Sequence, residues 1–266
     1  MSSTLDLKQL AAELAGAYAK RTIIPAPSSR DTGFDMSDAY SVEAELAHRR
    51  QEAGRSTTGL KVGYANKAMW RALKLETLVW AHMYDDTVRY ADGSEASLSI
   101  SKMIAPKIEP EIVFKVKEPV AGADPAAILA GVEWLALGFE IIDCVYPDWQ
   151  FQPVDFVAAY GLHAALVVGE RLPVSPDNIP VLVDQLAKFK VGLYRNGELV
   201  EEGSGRNSLR SPALCLGELA RVATLPPGSL VSSGTLTTPT LIAPGETWKA
   251  TVDAPGLQGL VLRVYS

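Results

Sequence analysis

Glu109 and Glu111 stand two residues apart in P-K-I-E-P-E-I-V-F, and Glu140 lies inside the apolar run L-A-L-G-F-E-I-I-D-C-V. Both stretches read as strands, and in a strand residues i and i+2 face the same side. Glu109 and Glu111 therefore share a face at a spacing where two anions repel. A carboxylate in a buried strand is costly unless a cation compensates it. Three such carboxylates point to one shared cation, and all-oxygen donors favour a hard ion, Mg²⁺ or Mn²⁺. A plainer reading stands beside this one. E-x-E is also the solvent face of an edge strand, Pro110 suits an edge because it cannot donate to a ladder, and Lys107 on the same face could pair with Glu109. Glu140 weighs toward the metal, because Ile141, Ile142 and Val145 call for a core around it and Asp143 adds a further acid to the run.

Lys61 sits between Leu60 and Val62 and is bracketed by Gly59 and Gly63. It either snorkels outward or lies desolvated beside acids, where it could give or take a proton. Ser232, Ser233 and Thr235 surround Gly234, and such hydroxyls and backbone N–H groups could hold a carboxylate. A plain Ser/Thr-rich turn explains the same residues. No G-x-S-x-G elbow is present, and the glycine-rich stretch after residue 196 lacks the lysine and spacing of a phosphate-binding loop. The three histidines are few for a histidine-based metal site. His48 falls in a charged helical stretch, whereas His82 and His163 lie in apolar settings that suit structural roles.

The 266 residues, 47% of them hydrophobic, are ample for a large core. A net charge of −6 with no Lys/Arg block argues against nucleic acid as a partner. Cys144 and Cys215 have no metal or disulfide-framework spacing, which fits a reducing, cytoplasmic setting. The N-terminus lacks a basic start followed by an apolar core, so no signal peptide is expected. No uncharged apolar run reaches about 18 residues, so no membrane span is expected.

These residues need strands to carry them. Residues 4–20 show helical spacing, and Ser37 or Asp38 can cap a second helix through about Ala53. Residues 59–64 read as a strand between glycines, followed by a short helix in N-K-A-M-W-R-A-L. Candidate strands are 97–103, 109–117, 137–145, 162–168 and 186–194, with helices near 125–134, 177–185 and 211–223. Asn196-Gly197 marks a hairpin with a type I′ turn. The C-terminal stretch reads as two strands joined by a Pro-Gly turn. The layout is mixed α/β and β-rich, with a helical N-terminal cap over 1–56 and a core over 57–266, together one integrated domain.

The order of these motifs resembles the fumarylacetoacetate-hydrolase superfamily, and within it the 2-oxopent-4-enoate hydratase and 4-oxalocrotonate decarboxylase family. The resemblance runs through M-S-D-A-Y-S-V-E (36–43), G-L-K-V-G with K-A-M (59–69), P-K-I-E-P-E-I-V-F (106–114) and E-I-I-D (140–143). It continues through Asp148-Trp149, the R-N-G-E hairpin, P-G-S-L-V-S-S-G and A-P-G-E. It implies a bent mixed β-sheet core with an N-terminal helical cap and homo-oligomeric assembly. It also implies one divalent metal on Glu109, Glu111 and Glu140, with Lys61 in acid–base steps. The implied activity is hydration of a small 2-hydroxy-dienoate or 2-oxo-enoate, with decarboxylation of a 2-oxo diacid, acylpyruvate C–C hydrolysis and a catalytically silent assembly subunit as alternatives. Ser233, Asn66, His163 and Arg210 are the expected substrate contacts. The sequence departs from the family at Ala65-Asn66, at Ala158 to His163 and at Arg210-Ser211-Pro212, which implies an altered substrate.

Overall fold

The computed structural model describes residues 3–266, so the first two residues of the expected 1–56 cap lie outside the described residues. Helix α1 (Leu7–Lys20) begins at Asp6, whose carboxylate accepts from the Lys8 and Gln9 amides. Such a cap satisfies donors that the first turn leaves free. After the single turn α2 (Pro27–Arg30), helix α3 (Met36–Glu52) begins at Asp35. Asp35 accepts from the Ser37 and Asp38 amides, and Asp38 reaches back to the Asp35 amide. The cap is thus Asp35, not Ser37 or Asp38, because Asp38 closes a reciprocal box from inside the helix. Leu10, Leu14, Val42 and Leu46 bury themselves in a core shared with Val145, Tyr146, Phe156 and Val157.

The rest of the chain alternates strands and short helices. It runs through β1 (Thr57–Gly63), α4 (Lys67–Leu73), β2 (Val79–Tyr84), β3 (Val88–Tyr90), β4 (Glu95–Ser99) and β5 (Lys107–Val116). Next come α5 (Pro125–Ala130), β6 (Val132–Ile142), α6 (Pro153–Ala158), β7 (His163–Val168), β8 (Leu172–Pro173) and α7 (Ile179–Lys188). It closes with β9 (Lys190–Arg195), β10 (Glu198–Ser204), α8 (Pro212–Val222), β11 (Leu230–Ser232), β12 (Thr240–Leu241), β13 (Thr247–Val252) and β14 (Leu260–Tyr265). Nine strands form one mixed sheet in the order β2-β1-β11-β5-β6-β7-β3, with β12 beside β5 and β8 beside β6. Five form a second sheet, β10-β9-β13-β14-β4. Ile112, Phe114, Leu137 and Val167 on one face of the large sheet share a core with Leu193, Trp248, Ala250 and Leu262 of the small one. The opposite face carries a smaller apolar cluster, including Val113, Ala136 and Leu166, and beyond it the acids.

Strand β5 is not an edge. It pairs with β6 along its whole length, and on its other side with β11 at 113–115 and β12 at 107–108. Between β11 and β12 the chain loops away and leaves a gap. The Pro110 carbonyl faces that gap, where it accepts from the Leu236 amide. A strand residue's N and O point to the same side, so the N–H that proline lacks would also face the gap, where no ladder asks for it.

Several expected boundaries shift. Helix α7 runs on to Lys188 because Leu182 and Leu186, one turn apart, both face the core, so the strand starts at Lys190 and not at 186. Helix α5 stops at Ala130 and β6 starts at Val132, five residues before its expected start at 137. The expected strand 97–103 lies instead at Glu95–Ser99. The last two strands are joined by a longer connection than a Pro-Gly turn. The 196–197 turn is as expected: Asn196 and Gly197 both have positive φ, 53° and 90°.

Candidate metal centre

Register sets the centre. Glu109 on β5 pairs directly with Glu140 on β6, and Glu111 pairs with Gly138. On the other flank Lys61 of β1 is level with Ser232 of β11, which is level with Val113. All of these side chains share the face of the large sheet opposite the second sheet. Carboxylate oxygens of Glu109, Glu111 and Glu140 lie within 4.8 Å of one another. Glu111 and Glu140 are fully buried, and Glu109 is 7% exposed, which places the outer edge of the centre at Glu109.

Lys61 does not snorkel; it is 1% exposed. Its Nζ lies 2.8 Å from Glu140 Oε2, an ion pair without the alignment of a good hydrogen bond, and donates to the Gly161 carbonyl at 3.0 Å. The Phe156 ring covers it, with its centroid 4.9 Å from Nζ. Burial pulls the Lys61 ammonium down, but Glu140, Glu109 and Glu111 outweigh it and hold it above its ordinary value. Burial would also raise Glu140, but Lys61 and His163 together hold its carboxyl low. Glu109 is pushed up to about 7 by burial, against the pull of Lys61. Glu111 is held well above the usual carboxylate range, by burial first and by Glu140 and Glu109 next. One ammonium thus does not compensate three acids.

The Ser/Thr-rich turn does hold a carboxylate, and it is the protein's own. Ser232 Oγ donates to Glu111 Oε2 at 2.5 Å, and the Gly234 amide donates to the same atom at 2.9 Å. Glu111 Oε1 is left buried with no partner among the described residues. That orphaned oxygen, the neighbouring acids and the all-oxygen donor set fit a hard divalent cation. Ser233 Oγ is likewise buried and unpartnered.

Among the other expected residues, His163 does join the centre, but as a neighbour of Glu140. Its Nδ1 lies 2.8 Å from Glu140 Oε1 and its Nε2 lies 2.9 Å from Thr87 Oγ1, so both ring nitrogens are taken. Asn66 caps α4 by accepting from the Ala68 amide and is exposed. Arg210 is exposed too, and both line a separate cleft of about 900 Å³ together with Lys67 and Arg206. This cleft adjoins the centre through the backbone: the Leu209 amide donates to the Ala65 carbonyl, and Ser208 Oγ donates to the Ser233 carbonyl. Asp143 stays outside the triad; it accepts from the Ile104, Ala105 and Cys144 amides and fixes the turn into β5. Sequence reasoning missed Thr87 and the pairing of the Ser232 hydroxyl and Gly234 amide with Glu111. The Ser-Ser-Gly cluster was the only signal for the Glu111 contacts, and nothing in the sequence pointed to Thr87.

The structure superposes on 4-oxalocrotonate decarboxylase from Pseudomonas putida G7, complexed with magnesium and adipate, with a TM-score of 0.84, 25% identity and 97% of each chain covered. Fold and site thus define a β-rich protein of the fumarylacetoacetate-hydrolase type. Residues 67–264 match the sequence model of the fumarylacetoacetate (FAA) hydrolase C-terminal family, and the chain belongs to that family. It is 31% identical over 224 residues to a 2-hydroxypent-2,4-dienoate hydratase of Pseudomonas putida, spanning 83% of this chain and 96% of the relative. It is 28% identical over 218 residues to a 4-oxalocrotonate decarboxylase of Pseudomonas sp. strain CF600, spanning 79% of each. No helix among the described residues is long and apolar enough to cross a membrane.

Proposed function

We propose that the protein is a divalent-metal-dependent hydratase acting on a short 2-hydroxy-dienoate or 2-oxo-enoate, working as a homo-oligomer. The observation that carries this reading is the convergence of Glu109, Glu111 and Glu140 with the orphaned Glu111 Oε1 beside buried Lys61. The three carboxylates would hold Mg²⁺ or Mn²⁺. Such an ion supplies Lewis acidity toward the carboxylate and adjacent 2-oxygen of the substrate. Lys61 spends one donor on Gly161 and one toward Glu140, and an ammonium has three. The third is free to move a proton at the substrate as its enol ketonises, before water adds to the conjugated alkene. Ser233 Oγ is the group left to receive the substrate carboxylate or carbonyl. Phe156 keeps bulk water from the Lys61 ammonium.

The likeness to a 2-hydroxypent-2,4-dienoate hydratase over 83% of this chain supports the hydratase branch. C–C hydrolysis would need a histidine free to activate water. His163 has both nitrogens engaged, and His82 pairs with Leu60, on the face opposite Lys61. Titration of Mn²⁺ with oxalate, which mimics the chelating head of the substrate, tests the centre. Wild-type protein should bind both, and Glu109→Gln should bind Mn²⁺ far more weakly; wild-type affinity in that variant overturns the site.

One observation favours the second reading, decarboxylation of a 2-oxo diacid. Lys67, Arg206 and Arg210 line the neighbouring cleft without an ion pair among the described residues, whereas Arg221 there is paired with Glu218. They could receive a second carboxylate. Arg210 and Leu209 both hold positive φ, 69° and 46°, a strained presentation of the kind that collects at functional sites. A steady-state comparison of 2-hydroxypenta-2,4-dienoate with a 2-oxo diacid separates the readings. A preference for the diacid that disappears in Arg210→Ala favours the second.

A further inference from the structure

The two oxygens of Glu140 are engaged differently. Oε2 lies 2.8 Å from Lys61 Nζ and is buried without an aligned hydrogen bond, while Oε1 is held by His163 Nδ1 at 2.8 Å. His163 reaches it through an irregularity of the sheet. Ala165 pairs with Ile141, but the residue level with Ile142 is His163 and not Ala164. Strict alternation would place His163 on the face of Ala165, away from Glu140; the bulge turns it over. The far end of the ring is anchored as well. Nε2 lies 2.9 Å from Thr87 Oγ1, and that hydroxyl is itself fixed, donating to the Tyr84 carbonyl at 3.0 Å and accepting from the Tyr84 amide at 3.1 Å. The Nε2 end of the imidazole is therefore set by a backbone-tied hydroxyl, and the ring is buried.

We propose that His163 is a positioning residue for the metal centre. By occupying Oε1 it fixes the rotation of the Glu140 carboxylate and leaves Oε2 alone to serve as a ligand. The proposal rests on the metal reading above and adds to it. A carboxylate restricted to one oxygen occupies one coordination position and not two, which leaves more of the ion's positions to a substrate that chelates through two oxygens. Groups that hold a metal ligand from behind commonly change metal affinity by about 10–100-fold when removed.

The test is Mn²⁺ titration calorimetry on wild type, His163→Leu and His163→Asn, with thermal melts in chelator as the control for folding. His163→Leu removes the bond to Glu140 and should weaken Mn²⁺ binding by about 10–100-fold. His163→Asn can place its amide nitrogen where Nδ1 stood, and should recover most of that loss although it abandons Thr87. A role in packing alone predicts that both variants lose melting temperature while Mn²⁺ affinity holds, and that result overturns the proposal. So does an Asn variant that folds yet binds as weakly as the Leu variant. Should His163→Leu fail to fold, His163→Ala carries the test, because it also removes the bond to Glu140 without forcing a bulky apolar group against it; unchanged Mn²⁺ affinity there also overturns the proposal. Wild-type protein that takes up no Mn²⁺ at all overturns the metal reading itself, and this inference with it.

Discussion

Lys61 and the three glutamates can be judged as charges before they are judged as catalysts. Removing one partner of a buried ion pair leaves the other uncompensated, at about 3–5 kcal/mol. His163 still contacts Glu140, so Lys61→Met should cost the metal-free protein about 3 kcal/mol, the low end of that range. Urea unfolding in chelator measures it, and a loss under about 1 kcal/mol would mean that the ammonium is not what holds Glu140. The same variant should bind Mn²⁺ at least as tightly as wild type, because a competing cation is gone, while turnover is lost. The acids also set a pH dependence. Glu109, pushed up to about 7, and Glu111, higher than usual, take up protons more readily folded than unfolded. Their contribution to the stability of the metal-free protein is therefore complete below the unfolded carboxylate range; that of Glu109 is lost as pH rises through about 7, and Glu111 acts in the same direction. Metal binding must displace those protons, so Mn²⁺ affinity should rise across the same window. Melts at pH 5.5 and pH 8, with and without Mn²⁺, should show the larger metal-induced shift at pH 8; an equal shift would show that neither acid is protonated in the free protein.

At the level of elements, the centre depends on loops that bring backbone to side chain. Gly161 has φ of 58° and presents its carbonyl to Lys61; a Cβ there would meet Ala81 Cβ and Lys61 Cδ at 2.8 Å each. Gly197, in the exposed hairpin, also has positive φ but open space around it. Gly197→Ala should cost only the backbone strain, about 1 kcal/mol. Gly161→Ala should add overpacking of about 1–3 kcal/mol and displace Lys61, so turnover falls with stability. Equal melting temperatures for the two variants would show that Lys61 is not packed against Gly161. This contrast also marks what the sequence makes legible. Glu109, Glu111, Glu140 and Lys61 stand out because a charge inside an apolar strand is a local anomaly. The role of His163 does not, because a one-residue bulge decides which face it takes, and its other partner, Thr87, lies 76 residues away. The Ser232 and Gly234 contacts to Glu111 depend on the gap between β11 and β12, which the alternation of either strand does not reveal. Boundaries such as that of α7 slipped for a related reason: Leu186 serves a helix face as well as it would serve a strand.

For the whole molecule, the question is whether the N-terminal helices and the sheet core form one cooperative unit. Edge strand β2 has its outward amides taken by α3: Trp80 donates to Tyr40 Oη at 3.2 Å and His82 donates to Glu43 Oε1 at 3.0 Å. An edge covered in this way is no longer open to another chain. The contact is continuous with the site. Phe156 and Val157 of α6 share a core with Leu14 and Leu46, and the same Phe156 ring lies over Lys61. Stabilising the centre should therefore stabilise the helices too. Calorimetry should show one unfolding transition, and Mn²⁺ at about 100 times its dissociation constant should add about 2.7 kcal/mol and move the whole transition together. At about 2–4 °C per kcal/mol for a chain approaching this size, the shift should be about 5–10 °C. Two transitions, with only the later one responding to Mn²⁺, would show that residues up to about 56 unfold on their own, and the shared core around Phe156 would then be too weak to couple cap and centre.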